Sequence, residues 1–219
     1  MNRLAIFDCD GTLVDSQANI CLAMEECFVR AGLDAPPRER TRRVVGLSLV
    51  EAMRAMLPEE AADRHRALAD DYRIVFQGLR GRGLVEEPLY DGIADLLDAL
   101  EADGWLLAIA TGKSDRGLDL CLERHGLAGR FVSLQTADRH PSKPNPAMIA
   151  QALAEAGAAP EAGMMIGDTS YDMEMARAAG VRAIGAGWGY HDEHELRAAG
   201  ADCVALQPSH IMTLIEAFA

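Results

Sequence analysis

Lysine is nearly absent from this chain: Lys113 and Lys143 stand against nineteen arginines. Aromatic side chains make up only 5% of the 219 residues. No apolar run approaches the roughly 20 residues that a membrane-crossing helix needs. No basic segment followed by an apolar core opens the sequence, so neither export nor a membrane role is expected. Cys9, Cys21, Cys27, Cys121 and Cys203 are an odd number at irregular spacing. They fit neither a disulfide framework nor a zinc site, and a cytoplasmic location is the expectation. The net charge of −13 argues against a general affinity for nucleic acid or anionic lipid. An anionic substrate stays open, because a metal ion and a few local cations invert the field at one site. With 49% hydrophobic residues, the chain has enough apolar surface for one large domain or two unequal ones. Its composition leaves the oligomeric state undetermined.

The most informative stretch lies near the start, at Leu4-Ala5-Ile6-Phe7-Asp8-Cys9-Asp10-Gly11-Thr12. An apolar run ends in two carboxylates and a Gly-Thr turn, which reads as a buried strand delivering acids to a sheet edge. In open α/β sheets that carboxyl edge is where ligands bind. At ordinary residue frequencies, D-x-D-G-T arises by chance about once in 10⁵ positions.

Residues 16–85 contain no convincing strand and carry helical periodicity instead. Ile20, Ala23, Cys27 and Ala31 share one face; Val50, Met53 and Leu57 share a second; Leu68, Tyr72, Val75 and Leu79 fall on a third. From Asp91 onward, helical segments alternate with short apolar strands at 105–110, 131–134, 163–166, 183–186 and 203–206. Such alternation predicts an α/β fold, a parallel sheet with helices on both faces. The expected division is a Rossmann-like core of residues 1–15 and 86–219, with an all-helical cap of residues 16–85 inserted after the first strand.

Four polar clusters follow four of these strands: Asp8/Asp10, Thr111-Gly112-Lys113, Lys143 and Asp168/Asp172. Parallel strands end on one edge, so the clusters can converge although they are far apart in sequence. Together they offer carboxylates for a hard cation, an ammonium, a hydroxyl and glycine-flanked amides, an inventory suited to a phosphoryl group beside Mg²⁺. Ala110-Thr111-Gly112-Lys113-Ser114 lacks the earlier glycine of a nucleotide-binding loop, since position 107 is Leu. Asp15 is expected to cap the first inserted helix, Cys9 to pack in the core, and His191 and His194 to be solvated loop residues.

In these four motifs the chain resembles the haloacid dehalogenase-type hydrolases, in the branch of phosphoglycolate phosphatase-like enzymes. The motifs are Asp8-x-Asp10-Gly11-Thr12, Thr111, Lys143 and Gly167-Asp168-x-x-x-Asp172. The resemblance implies a Mg²⁺-dependent phosphatase acting on a small phosphorylated metabolite, with phosphoglycolate as the leading substrate. It implies Asp8 as nucleophile and Asp10 as general acid and base. Mg²⁺ would lie on the side chains of Asp8 and Asp168 and the backbone carbonyl of Asp10. Gly11, Thr111, Gly112 and Lys143 would hold the phosphate, with Asp172 orienting Lys143. Arg42 and Arg43 are candidates for reading a substrate carboxylate, because an arginine fork suits one.

Related sugar-phosphate mutases carry a histidine in the first cap helix and an arginine after the cap's Gly-x-Ser segment; here Ile20 and Leu49 take those places. A phospho-accepting receiver is a second alternative, disfavoured by the inserted helices. A non-catalytic binding protein is a third.

Overall fold

The computed structural model describes residues 2–217. Strand β1 (Arg3–Phe7) alternates its side chains between two cores, as the period of two requires. Ala5 and Phe7 join one apolar cluster with Ile93, Leu97, Leu118 and Ile211. Leu4 and Ile6 join another with Met148, Ile149 and Met173. Both faces are covered, so after Arg3 the strand is apolar at every position rather than alternating with polar residues.

Five more strands complete the sheet: β2 (Trp105–Thr111), β3 (Phe131–Thr136), β4 (Gly163–Gly167), β5 (Arg182–Ala186) and β6 (Cys203–Ala205). Their order is β3-β2-β1-β4-β5-β6 and every pairing is parallel. The chain runs outward from β1 through β2 to β3, then returns to place β4 on the other side of β1. Ligand crevices form at such a reversal, outside the carboxyl ends of the strands. Asp8 and Asp168, directly after β1 and β4, stand on either side of it.

Helices α1 (Gln17–Arg30), α2 (Arg38–Arg42), α3 (Leu49–Met56) and α4 (Ala62–Gly81) all fall between β1 and β2. They form a core of their own, in which Met24, Cys27 and Phe28 meet Met53, Met56, Leu68, Tyr72 and Val75. The two segments that join this helical layer to the sheet run side by side. Asp15 N donates to Pro88 O at 2.8 Å, Tyr90 N donates to Leu13 O at 3.0 Å, and Val14 bridges Leu89.

Around the sheet lie α5 (Ile93–Ala102), α6 (Asp115–Arg124), α7 (Ala147–Ala156), α8 (Ser170–Ala179), α9 (Glu193–Ala198) and α10 (His210–Ala217). The last two are absent from the sequence reading. Helix α9 has six residues, too few for a periodicity to register, and is held by an Asp192/Glu195 capping box.

Candidate active site

The turn after β1 sets the first acid. Asp8 N donates to Ile166 O at 2.9 Å, continuing the β1–β4 pairing one residue past the strand. Asp8 Oδ1 accepts from Cys9 N at 2.7 Å and lies 2.9 Å from Lys143 Nζ. Asp8 Oδ2 is buried and has no hydrogen-bond partner. Gly11, at φ 83°, supplies the left-handed turn that brings the loop back under β4. A Cβ there would run into the Asp168 carboxylate.

Asp168 is fully buried and doubly bonded, to Thr12 Oγ1 at 2.8 Å and to Tyr190 N at 2.9 Å. Asp172, at the third position of α8, accepts from Thr169 N at 3.1 Å and Thr169 Oγ1 at 2.7 Å, closing a capping box. Its other oxygen accepts from Lys143 Nζ at 2.7 Å. One ammonium, itself completely buried, therefore bridges the acids that follow β1 and β4.

Ligand oxygens of Asp8, Asp168 and Asp172 all lie within 4.8 Å of one another. Burial, with Asp172 and Asp10 nearby, outweighs Lys143 and lifts the Asp8 carboxyl to about 7. Burial and then the charges of Asp8 and Asp172 hold Asp168 well above the carboxylate range. For Lys143, burial opposes the charge, but Asp172 and Asp8 prevail and keep it firmly protonated. Three acids facing one ammonium leave an excess of negative charge, and the bare Asp8 oxygen has no donor. A hard divalent cation with oxygen preference fits the charge excess.

Asp10 stands apart from this group. Its carboxylate lies 2.8 Å from Lys113 Nζ and accepts from Ser16 Oγ. Lys113 in turn reaches Glu87 at 2.6 Å, and Glu87, fully buried in the returning connection, binds Arg80 of α4 at 3.0 Å. Lys113 and Arg80 together hold the Glu87 carboxyl below its usual range despite burial. Thr111 is buried at the end of β2 and its Oγ1 accepts from Lys113 N at 3.2 Å.

A chamber of about 720 Å³ lies between the sheet edge and the helical layer. Asp8, Asp10, Thr111, Gly112 and Lys113 form its floor. Arg42 and Arg43 are not among its lining residues. Arg42 Nε is buried without a partner, and Arg43 forms an exposed ion pair with Glu195 of α9. The structure thus brings together Asp8, Lys143, Asp168 and Asp172, sets Asp10, Thr111 and Gly112 on the same rim, and directs the Arg42–Arg43 pair elsewhere. His191 is a correction. Rather than a solvated loop residue it is buried, and its Nδ1 accepts from Ser170 N at 3.1 Å. His194 is exposed on α9. Glu87 and Ser16 carried no legible signal in the sequence; Lys113 did, through the scarcity of lysine.

Comparison with known proteins identifies the family. The sequence matches the haloacid dehalogenase-like hydrolase family over residues 5–186, and the chain belongs to that family. It is 35% identical to a probable phosphatase, IndB, of Dickeya dadantii, over 91% of this chain and 87% of that one. It is 28% identical to the phosphoglycolate phosphatase of Vibrio parahaemolyticus, over 97% and 96% of the two chains. The crystal structure of a predicted phosphatase from Clostridium acetobutylicum superposes with a TM-score of 0.88 at 25% identity, covering 99% of each chain.

Proposed function

We propose that this protein is a Mg²⁺-dependent phosphatase that hydrolyses a phosphate monoester of a small metabolite in the cytoplasm. The observation that carries the reading is the unpartnered Oδ2 of Asp8, held beside a buried ammonium and two further acids. Asp8 is the nucleophile: one oxygen is fixed by Cys9 N and Lys143, and the other is free to attack phosphorus. The phosphoryl group passes to Asp8 while the P–O bond to the alcohol breaks. Asp10 delivers the proton to the departing oxygen and then takes one from the water that releases phosphate.

The cation would be held by Asp8, Asp168 and the backbone carbonyl of Asp10, and it would neutralise phosphate charge that three acids otherwise repel. Lys143, Thr111 and the amides of Gly11 and Gly112 bind phosphate oxygens, and Asp172 keeps Lys143 in place. Residues 16–85 act as a cap domain over this site, excluding bulk water while the ester is bound. The sugar-phosphate mutase reading is weaker, because Ile20 and Leu49 offer no group to anchor or transfer a second phosphate.

Phosphate release from a panel of monoesters, with and without Mg²⁺, tests the proposal. Steady release that needs the cation supports it; phosphoglycolate is the first ester to try. Stoichiometric phosphorylation without turnover would instead favour the receiver alternative.

A further inference from the structure

The chamber above Asp8 is larger and less polar than a two-carbon acid needs. At about 720 Å³ it falls among sites of roughly 300–1,000 Å³ that bury most of a drug-sized ligand. Its helical wall is formed by Ile20, Met24, Leu49, Val50, Tyr72 and Phe76. Tyr72 and Phe76 stack on each other with ring centroids 5.9 Å apart and planes inclined by 28°, Arg80 lies over the Phe76 ring at 5.6 Å, and both aromatic residues line the cavity. Ile20 and Leu49 occupy the two places where the mutase pattern has a histidine and an arginine. Both are apolar, and both line this wall.

Three of the four cations that line it are already engaged. Arg73 pairs with Asp70 at 2.6 Å, Arg80 with Glu87, and Lys113 with Glu87 and Asp10. Arg116, exposed, lines the chamber without an ion pair to any described residue.

Nor does this size reflect an undocked helical layer. Ser48 N donates to Ser142 Oγ at 2.8 Å, and Tyr171 Oη donates to Arg43 O at 3.1 Å. The Gly46-Leu47 backbone lies so close to Gly112 that a Cβ there would meet their carbonyl oxygens at 2.8 and 2.9 Å. The cap loop already rests on the sheet edge, and the space remains.

We infer that this chamber is a leaving-group subsite for a bulky, uncharged alcohol bearing an aromatic ring, packed against the wall that holds Tyr72 and Phe76. The inference rests on the phosphatase reading and narrows its substrate away from phosphoglycolate. The overall reaction stays a hydrolysis: ester and water give the alcohol and inorganic phosphate.

The test compares three esters whose leaving groups are all alkoxides: ethyl phosphate, phosphoglycolate and 2-phenylethyl phosphate, assayed with Mg²⁺. The expected result is a kcat/KM for 2-phenylethyl phosphate at least tenfold above both others. In Phe76→Ala the ratio of phenylethyl to ethyl ester should fall about tenfold, through KM rather than kcat. Leu49→Arg gives an independent check, because placing a cation in the wall should swing preference toward phosphoglycolate. The inference is overturned if phosphoglycolate is the best wild-type substrate, above all if its advantage disappears in Arg116→Ala. Equal rates for ethyl and phenylethyl esters overturn it as well. Those outcomes leave the phosphatase reading standing, whereas hydrolysis of none of the three esters removes both.

Discussion

Lys143 is the residue on which the site's charge balance turns. Among the described residues it is the one ammonium in contact with both Asp8 and Asp172, so removing it strands two buried acids. Lys143→Met keeps much of the volume and should cost about 3–5 kcal/mol in urea unfolding at pH 8 without divalent cation, the usual penalty for breaking a buried pair. Asp8→Asn has the opposite character. It should lower kcat roughly 10⁴-fold or more, the scale on which one covalent-catalysis residue is felt, while the fold survives because a repulsive charge has been deleted. Wild-type rates in that variant would remove Asp8 from the mechanism. Proton linkage points the same way. Asp8 is raised from 3.8 to about 7, so across that window the folded state binds more protons than the unfolded chain. Its contribution to stability is therefore present at low pH and is lost as pH rises through about 7. Since a cation competes with those protons, Mg²⁺ should raise Tm more at pH 8 than at pH 6. Equal shifts at the two pH values would mean that the cation binds elsewhere.

Loops and helix ends, rather than whole elements, join the helical layer to the sheet. The exposed Arg43–Glu195 pair contributes little, since exposed ion pairs are worth about 0–1 kcal/mol. Glu87 is different: it is fully buried and ties Arg80 of α4 to Lys113 after β2. Glu87→Ala leaves two cations facing an emptied site and should cost about 3–5 kcal/mol in denaturant titration, against under about 1 kcal/mol for Glu195→Ala. Gly112→Ala probes the other seam. Its Cβ would meet backbone carbonyls of Gly46 and Leu47, which cannot swing aside as a side chain does. The cap loop should lift, costing about 1–3 kcal/mol of overpacking strain and raising KM for any ester that fills the chamber. An unchanged KM would show that the loop adjusts without moving the wall.

Seen as a whole, the molecule is a sheet with an apolar core on each face, joined at one seam to a helical layer with a third core. Among the described residues, two adjacent connections, paired at Val14–Leu89 and Asp15–Pro88, link them covalently. Opening by rotation about these two connections would leave the three apolar clusters intact, the condition under which a lid moves on the timescale of turnover. Hydrogen exchange at residues 42–48 and 80–88 should slow when Mg²⁺ and a phosphate analogue are added together. Protection that does not change would argue for a fixed cap.

Sequence alone determined the strand positions, the four polar clusters and the insertion of helices after β1, because apolar periodicity and turn chemistry are local properties. It also marked Lys143 and, through rarity, Lys113. What the tertiary structure decided was the company each residue keeps. Arg42 and Arg43 look equivalent to any carboxylate reader in sequence, yet packing turns one toward Glu195 and leaves the other outside the chamber. Glu87 looks like one acid among thirty-four Asp and Glu and becomes the buried tie between layers. Charge pairing, cavity size and burial depend on residues distant in the chain, and only the strand order that brings β1 beside both β2 and β4 assembles them.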